Sequence, residues 1–354
     1  MKRLGKFTNK MNKLNLTVDS RVLLLTHNDL DGSGPAVLLK SIFKNITVQH
    51  CSNGTMDWDI KNSILNKDVC NQYDVIFVTD ISCTEESAYL INKDPDITKL
   101  ILLDHHSTAL ALNKFDWALV EPMMLSNTFR DPAYIKMGAE GHSSGTSLMY
   151  DFLYNFGFNK FIRNEKLART LVFAITAYDT WDWVKIFGKD KKYHDLNTLF
   201  WIYQAEMFDR IFTERISSSD EHRIFEDQDK LILEIEANRI QSVVRNKEKG
   251  FSTGTMIFDG KEYSIVYCFA EQYMSDIFER MKELYPDRDI AFINYGTGIS
   301  LRSINININV AEICKRNGGG GHPEAGGFKI PYDLQTKYCM HSLNAKIVLD
   351  EEIN

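Results

Sequence analysis

Acidic residues and histidines stand at the ends of three apolar segments. His27 ends VLLLTH, Asp80 ends YDVIFVTD, and Asp104 precedes two histidines in LILLDHH. Carboxylates and imidazoles bind divalent cations in proteins, and acids crowded together without a cation repel one another. If the fold brings the three ends together, these residues therefore predict a metal site.

The segments between them indicate how the ends meet. The apolar runs 22–27, 73–80 and 100–106 alternate with stretches of helical spacing such as GPAVLLKSIF and TEESAYLIN. This alternation predicts βαβ units and a parallel sheet covered by helices on both faces. Ligands of such sheets bind beyond the carboxyl ends of the strands, where all three runs carry Asp or His.

The segment THNDLDGSG offers three ligands by itself. If it is extended, the period of two places His27, Asp29 and Asp31 on one face. Gly32 and Gly34 would then let the chain turn into the next helix. Solvated acids in a turn are the more frequent origin of an isolated D-x-D-G pattern.

Asp80 and the two histidines also have alternatives. Asp80 could equally cap a helix over ISCTEE. Adjacent strand residues face opposite sides, so one of His105 and His106 is expected to bind metal and the other to face the substrate. Asp104 would orient a ring by accepting its second N–H group.

The helical region adds one more acid. Asp179 ends an apolar helical face in AITAYDTWDW, and Asp182 competes with it for the same role. The aromatic residues around both acids are expected in the core, with a base-stacking platform as the alternative. The serines of GHSSGTSLMYDFL are expected to cap a helix, with phosphate binding as the alternative.

The pattern changes towards the C-terminus. Residues 160–249 are helical in pattern, and their charged part is expected to be a solvated connecting helix because opposite signs interleave. Strand signals resume around a hairpin turn at 259–260. A helix is predicted at YMSDIFERMKELY and a strand at DIAFINYG. The alternating Ile and Asn residues of 304–309 predict a further strand, with an accident of low complexity as the alternative. Two domains with a boundary near 205–250 are expected.

The segment RNGGGGHPEAGGF carries a possible phosphate site of the second domain. Glycine N–H groups can cradle a phosphate, and a following histidine can add a charged donor. Upstream, Arg302 offers the planar fork that suits phosphate. A flexible linker is the alternative, although a linker would not normally resume with Ala-Gly-Gly-Phe. The candidates are Arg302, Gly318, Gly319, Gly320, Gly321 and His322.

Length and composition limit the class of protein. The chain has 354 residues, enough for two domains, and a net charge of −7, the wrong sign for a long stripe of phosphate contacts. Any nucleic-acid ligand is therefore expected to be short. Scattered cysteines without a C-x-x-C pair fit a reducing, cytosolic setting, and no run of about 18 apolar residues predicts a membrane span. The basic N-terminus is expected to be a loose leader, with a targeting signal as the alternative.

In this order the motifs resemble those of the DHH/DHHA1 phosphoesterases, which include RecJ exonucleases, oligoribonucleases and cyclic-dinucleotide phosphodiesterases. HNDLDG and VTDIS are most similar to the NrnB-type oligoribonuclease branch, and SLRS with NGGGGHPEAGGF to the second-domain signature. The resemblance implies an α/β fold with the active site in the cleft between two domains. The implied parts are a basic leader (1–19), a parallel-sheet DHH domain (20–205), a helical connector (206–250) and a smaller α/β DHHA1 domain (251–354).

The resemblance also implies a site for two Mn²⁺ ions, with Mg²⁺ or Co²⁺ as alternatives. Mixed carboxylate and imidazole ligands suit Mn²⁺ better than Mg²⁺. His106 is expected near the scissile phosphate, Asp104 is expected to support the His105 ring, and the second-domain candidates are expected to hold the other end of the substrate. Many relatives have a longer interval after the histidine of the first motif, which leaves the duty of His27 open. The implied ligands are His27, Asp29 and Asp80 for one metal and Asp31, Asp80, His105 and Asp179 for the other, with Asp80 bridging.

The implied activity is hydrolysis of RNA of about two to five residues to nucleoside 5′-monophosphates, by a water activated between two metals. Hydrolysis of a cyclic dinucleotide or of 3′-phosphoadenosine 5′-phosphate is an alternative with the same metals. A non-catalytic nucleotide-binding regulator is an alternative of another class. The expected enzyme is cytoplasmic, with no membrane segment and no long nucleic acid as partner. The direction of attack and the oligomeric state, with a homodimer as one alternative, are left open.

Overall fold

The chain folds into two compact units, Met1–Leu233 and Glu234–Asn354. The computed structural model describes residues 3–52, 54–94, 97–124, 141–188, 190–218 and 223–332. The division between the units falls inside the region 206–250 that was predicted to connect two domains. The cleft between the domains and the exact domain boundaries stay predictions.

A five-stranded parallel sheet forms the centre of the first unit, in the order β2-β1-β3-β4-β5. The three predicted strands are present as β1, β3 and β4. The remaining two lie at the edges: β2 contains polar residues and is only partly buried, and β5 has three residues, too few to stand out as an apolar run. The strands are β1 (Arg21–His27), β2 (Asn45–Cys51), β3 (Val75–Thr79), β4 (Leu100–Asp104) and β5 (Ala118–Val120).

Helices cover both faces of this sheet. Val22 and Leu24 of β1 point into one apolar core, and Leu23 and Leu25 point into the other, as the period of two requires. The larger core lies under α2, α6, α7 and α9. The helices are α1 (Thr8–Leu14), α2 (Leu30–Lys40), α3 (Met56–Ile60), α4 (Lys67–Cys70), α5 (Glu85–Asn92), α6 (Gly145–Asn155), α7 (Glu165–Asp179), α8 (Asp182–Lys185), α9 (Lys191–Ser217) and α10 (Asp227–Glu248), within which the division between units falls.

The described part of the N-terminal segment is packed onto the first unit, which corrects the expectation of a loose leader. Leu4 and Phe7 are buried in the larger core. Lys10 Nζ donates to the carbonyl oxygen of Leu100, 2.8 Å away, at the start of β4. Two of the basic residues therefore serve the fold, since Lys6 likewise donates to carbonyl oxygens around β5.

The second unit is also α/β, with a mixed six-stranded sheet in the order β10-β11-β9-β8-β7-β6. Its β6–β7 hairpin turns at Asp259 and Gly260, whose φ angles of 52° and 72° are those of the predicted Asp-Gly turn. The elements are β6 (Ser252–Phe258), β7 (Lys261–Phe269), α11 (Met274–Leu284), β8 (Ile290–Asn294), β9 (Gly298–Ser303), α12 (Val310–Arg316), β10 (Gly320–His322) and β11 (Ala325–Lys329).

The alternating Ile and Asn run at 304–309 is not a strand, so that prediction was wrong. Strand β9 ends at Ser303, and Ile306 is 84% exposed. Asn305 accepts a hydrogen bond from the N–H of Asn307, and Asn309 caps α12. Asparagine side chains that bond to nearby backbone favour turns and caps over a strand, which overrides the alternation.

Candidate metal centre

Three neighbouring strands bring the predicted ligands to one edge of the first sheet. His27 ends β1, Asp80 directly follows β3, and Asp104 ends β4; these strands lie side by side in parallel. Side-chain atoms suited to metal binding lie within 4.8 Å of one another in three overlapping groups. The groups are His27, Asp29 and Asp80; Asp31, His105 and Asp179; and Asp80, Asp104, His105 and His106.

Asp80 belongs to two of the groups and is only 2% exposed. Its Oδ1 lies 3.1 Å from His105 Nε2, and its Oδ2 lies 3.8 Å from His27 Nδ1. Its φ of 58° is unusual for a residue other than glycine, and such strain is concentrated at functional sites. Helix α5 is capped by Thr84, so the helix-cap alternative for Asp80 does not hold.

The segment after β1 differs from the predicted extended strand. Asp29 is the N-cap of α2: its Oδ1 accepts a hydrogen bond from the Gly32 N–H, and its Oδ2 lies 2.7 Å from His27 Nδ1. Asp31 lies in the first helical turn. Gly32 therefore does not form a turn into α2, because this glycine lies inside the helix. A Cβ there would meet the carbonyl oxygen of His27 at 1.9 Å, so the glycine lets the helix pack against the strand end.

Asp31 is held by the N-terminus of α6. It is 1% exposed, and its carboxylate accepts hydrogen bonds from the N–H groups of Gly145 (2.6 Å) and Thr146 (3.0 Å). The positive end of a helix stabilises a buried carboxylate. Ser144 caps this helix in a reciprocal hydrogen-bonded box with Ser147, so the serines have the predicted capping role. Because Asp31 already takes these two N–H groups, they are not free for a phosphate.

His105 joins the acids of the second group. Its Nε2 lies 3.5 Å from Asp179 Oδ2 and 3.7 Å from Asp31 Oδ2. Asp179 ends α7 at this point, whereas its competitor Asp182 faces His142 at 3.2 Å and belongs to none of the groups. The geometry therefore favours Asp179.

The charge balance of this cluster calls for a cation. Burial, followed by the charges of Asp31 and Asp29, raises the pKa of Asp80 and of Asp179 well above the ordinary aspartate value. The Oδ2 atoms of Asp80 and Asp179 are buried, and no hydrogen bond reaches them from the residues that the structure describes. Buried carboxylate oxygens without donors are costly unless a cation binds them, so the residues present fit a metal.

Asp104 orients His106, which corrects the expectation that it supports the His105 ring. Asp104 is fully buried, and its Oδ1 lies 2.7 Å from His106 Nδ1, while the His105 N–H donates to the same carboxylate. This hydrogen bond raises the pKa of His106 to about 9. Ser82 also donates to Asp104, a contact that sequence reasoning missed although Ser82 stands two residues after Asp80.

In the second unit, Arg302 is half-buried on β9. Its guanidinium lies 4.9 Å from the centre of the Phe278 ring, and it donates to the carbonyl oxygen of Leu301. In the described ranges no acidic side chain forms an ion pair with it. His322 is exposed at the end of β10. Both residues stay predicted substrate ligands.

The glycine run has a structural duty that the phosphate-cradle prediction did not include. The N–H groups of Gly318 and Gly319 donate to the carbonyl oxygens of Lys315 and Cys314 and so close α12. These two N–H groups are therefore not free to bind phosphate. Gly320 and Gly321 pair with β11 and are exposed.

No protein-family model matches the chain. Oligoribonuclease NrnB of Bacillus subtilis (strain 168) is 30% identical over 311 residues, which are 87% of this chain and 72% of that protein. A pGpG-specific phosphodiesterase, PggH from Vibrio cholerae, has 16% identity and a TM-score of 0.49, over 92% of this chain and 99% of that one. An uncharacterized protein from Helicobacter pylori G27 has 17% identity and a TM-score of 0.43 over the same shares.

No described helix is long and apolar enough to cross a membrane. The sequence relationship to oligoribonuclease NrnB extends over most of both proteins. Its extent and identity show the family: the chain belongs to the DHH phosphoesterases, in the branch of the NrnB-type oligoribonucleases.

Proposed function

We propose that this protein hydrolyses very short RNA to nucleoside 5′-monophosphates in a reaction that depends on two divalent cations, with Mn²⁺ preferred to Mg²⁺ or Co²⁺. The observation that carries the proposal is a contact between two groups of possible metal ligands, one of which contains Asp80 and the other His105. The chain is also 30% identical to an oligoribonuclease. Mixed imidazole and carboxylate donors favour Mn²⁺ over Mg²⁺.

The distances between these residues support two cation positions. Asp80 would serve both positions, because its two carboxylate oxygens face His27 and His105 respectively. When bound, the cations would lower the pKa of a shared water and offset the negative charge of the phosphate. The proposed ligands are His27, Asp29 and Asp80 for one position and Asp31, Asp80, His105 and Asp179 for the other.

His106 is proposed to act on the substrate. Its Nδ1 is held by Asp104, which fixes the ring and leaves Nε2 for another partner, and the side chain is 50% exposed. A protonated imidazole in this position can donate a hydrogen bond to an oxygen of the scissile phosphate. Asp104 is thus proposed as a positioning residue, because it acts through His106.

The length of the substrate and the residues that bind its end are the remaining parts of the proposal. A net charge of −7 opposes binding of a long polyanion, so a few phosphates are the most that the chain is expected to hold. Arg302 and His322 are proposed to bind a terminal phosphate or ribose of the substrate. A planar guanidinium that forms no ion pair with a described acid can offer a phosphate two parallel hydrogen bonds.

A turnover panel with Mn²⁺ tests the proposal. The substrates are pApA, cyclic di-AMP, cyclic di-GMP, 3′-phosphoadenosine 5′-phosphate and RNA of graded length, with a chelator as the control. Turnover should be highest with pApA and fall as the RNA becomes longer. Faster turnover of a cyclic dinucleotide or of 3′-phosphoadenosine 5′-phosphate would replace short RNA as the proposed substrate. Binding without any turnover would identify a non-catalytic regulator. A trinucleotide labelled at either end gives the direction of attack.

A further inference from the structure

Three aromatic rings beside Asp179 form what we call the aromatic stack: Tyr178, Trp183 and Trp181. The ring centres of Tyr178 and Trp183 are 5.9 Å apart with 23° between the planes, and those of Trp183 and Trp181 are 6.4 Å apart with 28° between them. Trp181 is 61% exposed, whereas the other two are partly buried. The expectation that these aromatic residues belong to the core is therefore wrong for Trp181.

The backbone holds Trp181 in this outward position at an energetic cost. Its φ of 62° and ψ of 11° are left-handed, a conformation that L side chains rarely adopt. The next residue, Asp182, is fully buried and faces His142, and the N–H groups of Val184 and Lys185 both donate to the carbonyl oxygen of Trp181. Strain of this kind persists when its surroundings enforce it, and it is concentrated at functional sites.

The aromatic stack adjoins a proposed metal ligand. Asp179 precedes Trp181 by two residues, and two residues span at most about 7 Å between Cα atoms. A nucleobase is joined through one ribose to its phosphate, so a base next to a phosphate at the cations lies within reach of this part of the chain. Aromatic side chains bind the bases of single-stranded nucleic acid by stacking, with little dependence on base identity.

We propose that Trp181 is a substrate-binding residue, with a nucleobase of the short RNA stacking on the outer face of its indole. This inference rests on the proposed function, because it takes the substrate from it. Tyr178 and Trp183 support the indole from within. An exposed ring in a strained backbone contributes little to folding, so a role in binding accounts for its presence where packing does not.

Turnover of two matched substrates tests the proposal. One is pApA, and the other is the same dinucleotide with one base replaced by hydrogen at each position in turn. Trp181→Ala should lower kcat/KM for pApA about tenfold to a hundredfold, because stacking of one base contributes about that much to binding. It should leave kcat/KM unchanged for the substrate that lacks the stacked base, and Trp181→Phe should retain most of the activity. Equal losses on all substrates, or no loss on any, would overturn the proposal.

Trp58→Ala is the matched control, since Trp58 is 67% exposed in the same unit but adjoins no proposed ligand. It should have the kinetics of the parent. The Tm of Trp181→Gly should equal or exceed that of the parent, because glycine accepts the left-handed backbone. A large fall in Tm would return Trp181 to a packing role and overturn the proposal.

A binding measurement separates this proposal from the proposed function. Calorimetry compares AMP with ribose 5-phosphate, which lacks only the base, in the presence of Mn²⁺. The parent should bind AMP at least tenfold more tightly, and Trp181→Ala should bind the two alike. This result would support stacking even if no RNA were hydrolysed, whereas RNA hydrolysis with an unaltered preference for AMP in the variant would overturn stacking alone. Loss of a dimer in Trp181→Ala with unchanged AMP binding would assign the indole to a protein contact instead.

Discussion

The two units carry their candidate functional residues in opposite ways. In the first unit Asp80 and Asp179 are held within a few ångströms of a shared histidine, and the Oδ2 atoms of both acids are buried. In the second unit Gly320 and His322 are exposed, with open space around the glycine. The first arrangement is unfavourable without a cation and must be enforced by the fold, whereas the second is accessible before any ligand arrives.

This difference indicates how the two sets should respond to substitution. Burial and neighbouring charge raise the pKa of Asp80 and Asp179, so the acids gain stability when a cation binds. Changes in the first unit should therefore lower kcat and alter metal binding. Changes in the second unit should act on KM, because the residues there are proposed to bind substrate without taking part in the chemistry.

Asp80→Asn should have the largest effect. The amide keeps the shape but loses the charge that the two proposed cation positions would share, so kcat should fall on the order of 10³-fold or more. The rise in Tm that Mn²⁺ produces in the parent should also be lost. Steady-state kinetics and thermal unfolding with graded Mn²⁺ measure both. Asp59→Asn, at a buried acid that pairs with Gln49 outside the site, is the control; parent-like turnover by Asp80→Asn would refute the metal assignment.

Gly145→Ala should have the next largest effect, through Asp80. A Cβ on Gly145 would lie 2.4 Å from Asp80 Cβ and 2.9 Å from its Cα, so Asp80 must move. A shift of about 1 Å in a catalytic group can lower the rate about a hundredfold. The Mn²⁺ dependence of kcat should move to higher concentrations. Gly5→Ala, where a Cβ meets nothing within 4 Å, should behave as the parent; an unchanged kcat in Gly145→Ala would show that Asp80 is not positioned by this contact.

The sequence predicted the strand ends of the first unit better than the contacts between them. Strands β1, β3 and β4 are buried on both faces and give continuous apolar runs, so their ends and the acids that follow could be located. The hydrogen bonds from Gly145 and Thr146 to Asp31 join residues more than a hundred positions apart. Such contacts depend on the tertiary packing of helices, which local patterns do not record.

A turn of the second unit could also be predicted, whereas a contact just beyond a strand of the first unit could not. The hairpin at Asp259 was predictable because a two-residue turn has its own residue preferences. The pairing of His106 with Asp104 in the first unit was not, because the strand alternation used to assign the two histidines stops where β4 ends at Asp104. Local rules therefore held where one strand or a two-residue turn sets the geometry, and they failed for side-chain contacts just beyond the strand ends, where the candidate site lies.

Arg302→Lys should have a smaller effect than either change in the first unit, and on a different parameter. Lysine keeps the charge but not the planar fork, so KM for pApA should rise about tenfold while kcat stays within about twofold. Arg302→Ala should raise KM further. Arg280→Lys, at a partly buried ion pair with Glu248, is the control in the same unit. A fall in kcat with unchanged KM would contradict the proposal that the second unit binds substrate without taking part in the chemistry.

Gly320→Ala should have the smallest effect, and it tests directly whether the exposed glycines of the second unit bind phosphate. A Cβ on Gly320 meets nothing within 4 Å, so the fold should tolerate it and the Tm should not change. If a phosphate rests against the glycine run, the added methyl group should raise KM by about threefold to tenfold, as a displaced hydrogen bond would. Gly319→Ala is the contrast, because its Cβ would lie 2.1 Å from the carbonyl oxygen of Gly327 and should lower Tm instead. An unchanged KM in Gly320→Ala would show that this glycine does not bind substrate. It would assign substrate binding in the second unit to Arg302 and His322.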